Sequence, residues 1–142
     1  MYNTMLQVHS WFAYVVVVVL FLATANAVIG FFGKKEYTAK DLKLSLYGLI
    51  VSHIQLLVGV ILYVTSPLFG AWKTTNVMRD SYLRKILLEH PMMVVIGVVL
   101  ITVGWSLHKK QLTDNRTFGK IAIFYALGLV CILSRIPWQN WF

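Results

Sequence analysis

Residues 88–105 read LEHPMMVVIGVVLITVGW, an apolar run of membrane length opened by Glu89, His90 and Pro91. Crossing a bilayer takes about 20 apolar residues, and no other demand on a chain this short narrows its folds as much. Three more runs meet it. The four spans expected from the sequence are residues 8–32, 42–66, 86–107 and 121–136. Every backbone polar group in lipid must be satisfied internally, so these runs are helices. Short first and third connections force antiparallel neighbours. The expected fold is therefore all-α, a single-domain integral membrane four-helix bundle in up-down-up-down order over residues 1–142.

Composition agrees. Of 142 residues, 58% are hydrophobic and 13% charged, and the mean hydropathy is +0.71. A net charge of +8 invites a nucleic-acid reading. The charges instead sit in short clusters between apolar runs, so the partner they fit is the lipid bilayer, with its anionic headgroups, and not nucleic acid. The first run lacks a basic leader and is too long for a signal peptide, so it is expected to remain as a span. Eight Lys/Arg fall in the first and third connections and five on the other side. The positive-inside rule then puts both termini on the non-cytoplasmic side of the membrane.

Local signals punctuate the runs. Gly30 and Gly33 are expected to end the first span. Thr38-x-x-Asp41 resembles a capping box before the second, and Pro67 closes it. A first turn from Asp80 is expected before the third, and Pro137 ends the fourth. Trp138 and Trp141 read as an interfacial aromatic belt.

Much chemistry is excluded. Cys131 stands alone, so there is no disulfide, zinc pair or C-x-x-C-H haem attachment. No span carries an interior carboxylate, which argues against a carboxylate-based pump. No Gly-rich phosphate loop follows a strand. Met5, Met92 and Met93 lie near histidines, but methionine is ordinary apolar filler.

The histidines carry the functional reading, because an imidazole inside a span is a functional hypothesis by default. His9 and His90 open the first and third spans, which run in the same direction on diagonal corners. Counting to the cytoplasmic ends, His9 to Gly30 and His90 to Leu112, places the rings at nearly one depth. Two imidazoles at one depth across a bundle are the arrangement of a bis-histidine haem b. Gly97 and Gly104 follow His90 at intervals of seven, on one helical face, and read as a flat trough for a planar cofactor or as ordinary small-residue packing. Ala13, Thr24 and Ala27 lie below His9. Arg84, Lys85 and Arg135 are placed to hold haem propionates or to face headgroups. Pro91 is expected to kink the helix and free the Leu87 carbonyl, and Glu89 to lie at the interface, where a bond to an imidazole is one option.

His53, in SHIQLLVGVILY with Gln55 beside it, is the alternative iron ligand. Its depth is expected within a few residues of His90. It could equally bond a propionate or a quinone, ligate a second haem, or satisfy a neighbouring carbonyl or hydroxyl. His108 abuts Lys109-Lys110 and is expected at the interface with no ligand role.

The motifs VHSWFAYVVVVVLFLATANA, SHIQLLVGVILYVTSP, EHPMMVVIGVVLITVGW and the terminal IPWQ together resemble a family of small four-span bacterial membrane proteins labelled cytochrome-b-like. More distantly, the first three spans resemble one half of haem A synthase. There a His opens one helix, the next carries a pattern like Leu56-Leu57-Val58-Gly59, and a His opens the third. That resemblance implies His9 and His90 as haem ligands. The chain departs from the synthase in having a single half, Ser10 where the family has Arg, no acidic residue upstream of His9, and no cysteine pair. The expected function is electron transfer through a b-type haem near the outer face, with quinone or a respiratory complex as partner. The alternatives are a haem-modifying enzyme completed by a second copy of the chain, and a cofactor-free subunit of a larger membrane complex.

Overall fold

The computed structural model describes residues 2–108 and 116–138. Lys109, Lys110, Leu112 and Trp141, invoked above, lie outside the described residues. Four long apolar helices form the bundle: α1, Tyr2–Phe32; α2, Ala39–Thr65; α3, Ser81–His108; and α4, Arg116–Ser134. Contacts run α1 to α2, α2 to α3, α3 to α4 and α4 back to α1, with α1 opposite α3. The α2–α3 seam is the thinnest side. One end of the bundle carries the start of α1 and the end of α4 and is called the terminal end below; the other is the far end.

α1 is apolar on its outward face as well as its inward one. Trp11, Val15, Val18, Phe21 and Leu22 point outward, while Val16, Leu20, Ala23 and Ala27 are buried. Lipid is as apolar as leucine, so greasy burial does not drive these helices together; close approach of small residues does. Ile101, Ile121, Phe118 and Tyr125 complete the core.

The glycines show how close that approach is. A Cβ on Gly97 would lie 2.8 Å from the Gly128 carbonyl oxygen, and one on Gly128 would lie 2.7 Å from that of Gly97. A Cβ on Gly104 would meet Phe124 Cβ at 2.5 Å. The face read as a cofactor trough is thus filled by α4. Gly30 does not terminate α1. It sits inside the helix, where a Cβ would lie 2.5 Å from the Phe118 ring. The turn beyond α1 places Lys34, not a glycine, in the left-handed region at φ 53°.

Caps follow the sequence. The Asp41 Oδ2 atom accepts from the Thr38 N–H at 2.8 Å and the Thr38 hydroxyl at 2.9 Å, and its Oδ1 accepts from Asn26 Nδ2 at 2.9 Å, tying α1 to α2. Asp80 caps α3 by accepting from the N–H groups of Tyr82 and Leu83. After α2, Pro67–Gly70 forms a 3₁₀ turn and Ala71–Thr74 one helical turn.

Candidate functional site

Three polar side chains converge at the terminal end: His9 of α1 and His90 of α3, both part-buried, and Gln55 of α2, buried. The His9 and His90 rings face each other across the bundle with centroids 6.3 Å apart and planes at 79°. The Nδ1 atom of each is buried without a hydrogen-bond partner, and so is Oε1 of Gln55. Gln55 is anchored through its other end, Nε2 donating to the His9 carbonyl at 2.7 Å, and its side chain lies against the His9 ring. Such orphans are rare because each carries a desolvation cost of about 1–3 kcal/mol. Three of the four such atoms among the described residues gather at this point. Gly59, one turn beyond Gln55, makes the room: a Cβ there would lie 3.3 Å from His9 Cε1.

The approach of α3 to this point is shaped by Pro91. Residues Lys85–Glu89 form a π turn in which the His90 N–H reaches back to the Lys85 carbonyl. Pro91 has no N–H for the Leu87 carbonyl. The Tyr63 hydroxyl donates to that carbonyl instead, at 2.8 Å, and accepts from Trp72 Nε1 at 2.9 Å. Single π turns inside α-helices recur at functional sites.

Charge at the rim centres on Glu89. Its carboxylate is held by Arg84 Nε at 3.0 Å and Arg135 Nε at 3.2 Å. Arg84 also donates to the Met78 carbonyl at 2.9 Å. The Arg135 backbone lies against the His90 ring. Two guanidiniums on one carboxylate leave a net positive rim beside His90.

The other histidines are occupied. His53 Nδ1 donates to the Leu49 carbonyl at 2.8 Å, and Nε2 faces the Thr102 hydroxyl at 3.2 Å. Thr102 lies twelve residues past His90, about 18 Å further along the helix, so His53 is far deeper than the depth expected for a partner of His90. His108 is buried, with 0% of its surface exposed, where an interfacial residue was expected. Its Nδ1 donates to the Trp105 carbonyl at 2.9 Å, which leaves Nε2 to accept from the Tyr37 hydroxyl at 2.6 Å. Tyr37 also meets Ser45 Oγ at 3.3 Å, and Tyr125 donates to the Ser45 carbonyl at 2.7 Å. Burial pushes the Tyr37 phenol up to about 12, with the Asp41 charge adding to it and the Ser45 hydroxyl opposing it.

Gln55, Gly59, Tyr63 and the far-end cluster were missed as site residues. A signal existed: Ser45, Gly48, Ser52, Gln55 and Gly59 recur at three- and four-residue spacing and so stripe one face of α2. Among the described residues no group of three or more His, Cys, Asp or Glu is placed to hold a metal. Two imidazoles are too few for a bare ion, which takes four or more ligands, but suffice as axial ligands where a macrocycle supplies the rest. The ring centroids lie 6.3 Å apart with both Nδ1 atoms unpartnered, so the pair would be able to hold one such group. No protein-family model, curated protein or solved structure matches the chain.

Proposed function

We propose that this chain is a b-type haem-binding membrane protein that transfers electrons, with His9 and His90 as the axial ligands. The observation that carries the reading is the facing pair of part-buried imidazoles at a centroid separation of 6.3 Å, each with a buried, unpartnered Nδ1. When bound, the haem supplies one-electron redox chemistry.

The chain's own residues do the rest. His9 and His90 would hold the group. Gln55, anchored on the His9 carbonyl and lying against the ring, orients His9. Arg84 and Arg135, which share the Glu89 carboxylate, would hold its propionates. Gly97 and Gly104 contribute helix packing instead of a face for the macrocycle. The low-dielectric bundle around the pair tunes the potential. The Lys/Arg distribution supports both termini outside the cytoplasm; the membrane would be a bacterial inner membrane, and the electron partner a quinone or a respiratory complex.

The test is a reduced-minus-oxidised visible spectrum, with a haem assay, of the protein purified in detergent. One low-spin haem b per one or two chains is expected. Protein free of haem, and unable to take up added hemin, overturns the reading in favour of a cofactor-free subunit. Haem that is chemically altered on turnover favours a haem-modifying enzyme.

A further inference from the structure

We infer that Tyr63 is a positioning residue for His90: its hydroxyl, oriented by Trp72, holds the π turn from which His90 reaches across to His9. This rests on the haem reading for its consequence, though not for its geometry.

The argument begins with a missing hydrogen. Leu87 is 2% exposed, and Pro91 deprives its carbonyl of the partner four residues ahead. A buried carbonyl without a donor costs about 1–3 kcal/mol in water-soluble folds, and lipid offers no water to replace it. Tyr63 answers this from the neighbouring helix, its hydroxyl 2.8 Å from the Leu87 oxygen. The hydroxyl has one hydrogen, and Trp72 Nε1, donating to the Tyr63 oxygen at 2.9 Å, leaves it directed at Leu87. Trp72 in turn sits on the Ala71–Thr74 turn that follows α2, so the connection between α2 and α3 braces the entry to α3.

The π turn matters because it sets the azimuth of His90. Each residue advances an α-helix by about 100°, so one extra residue in a turn rotates everything before it relative to everything after. His90 closes this turn through its own N–H to Lys85. If the Leu87 carbonyl loses its donor, the turn relaxes, and the imidazole leaves the line to His9. The α2 helix thus serves both ligands from one face, Gln55 at His9 and Tyr63 behind His90, eight residues or about 12 Å apart.

The experiment titrates hemin into detergent-purified wild type, Tyr63→Phe, Pro91→Ala and the double variant, and records electron paramagnetic resonance of the ferric forms. Tyr63→Phe should weaken hemin binding about tenfold and convert part of the low-spin signal to high-spin. Pro91→Ala gives residue 91 an N–H for Leu87, so adding Tyr63→Phe to it should change affinity by less than about twofold. Replacing Tyr63 by 4-aminophenylalanine, which keeps a donor, should restore the wild-type spectrum. An unchanged Tyr63→Phe, or an equal loss with and without Pro91, overturns the inference. Should wild type bind no hemin, the haem reading falls alone. The inference is then decided by the ¹⁵N imidazole resonances of the apo-protein. A Tyr63→Phe shift at His90, absent at His108 and reversed by Pro91→Ala, supports it. No shift at His90 sinks it.

Discussion

The two ends of the bundle each set histidine among polar and aromatic side chains, and they differ in how those side chains are satisfied. At the far end, His108 has partners for both nitrogens, Trp105 and Tyr37, and Tyr125 and Ser45 extend the network to α4 and α2. At the terminal end, His9, His90 and Gln55 each keep a buried atom with no partner. A satisfied buried network locks a fold; an unsatisfied one stores a cost that a ligand can relieve. The rings are of one type at the two ends, though His108 is buried outright and His9 and His90 only in part. What separates structure from function here is the hydrogen-bond account.

The sharpest way to break the contrast is to delete each histidine. His9→Ala or His90→Ala should abolish low-spin haem, whereas His108→Ala should leave the spectrum intact. Equal loss in all three would show that haem reports only on folding. Stability should respond in the opposite sense. His9→Leu removes an orphan and should leave the thermal midpoint of the apo-protein unchanged or raise it. Glycine provides the next test. Gly128→Ala pushes a methyl group against the Gly97 carbonyl and should cost about 1–3 kcal/mol of bundle stability. A Gly128→Ala protein of wild-type stability that binds no haem would return the trough to the cofactor.

Smaller effects sharpen the far end. His108→Leu leaves the Tyr37 hydroxyl without its acceptor and should cost about 1–3 kcal/mol in a denaturation series. The Tyr37 phenol, pushed up to about 12 by burial, holds its proton in the folded chain after the unfolded chain has begun to lose it near pH 10. The folded state binds more protons across that window, so stability should fall as pH rises from about 10 to about 12. Tyr37→Phe should flatten part of that fall, and an identical slope in the variant would contradict this account. Smallest of all, His53→Leu should leave the haem spectrum unchanged, because His53 is engaged by Leu49 and Thr102.

The membrane fold was legible because span length and loop charge are one-dimensional properties. The matched depth of His9 and His90 was legible for the same reason: a helix converts residue count directly into height. Azimuth was not. The trough at Gly97 and Gly104 failed on which way a residue faces and what stands opposite. Along the apolar stretch of α3 beyond Pro91, no polar stripe marks the inward face, since lipid and core make the same demand. His108 was misplaced because its partner, Tyr37, comes from a connection 71 residues away. Tyr63 was invisible from Pro91 alone, which predicts a freed carbonyl but not the donor that meets it.

The most direct test of the central claim is the electron paramagnetic resonance spectrum of the oxidised, hemin-loaded protein beside its His9→Ala and His90→Ala variants. The account predicts a low-spin, bis-imidazole ferric signal in the wild type, and its complete loss in each single variant. A low-spin signal that survives either substitution, or a wild type with no ferric haem signal at all, would contradict it.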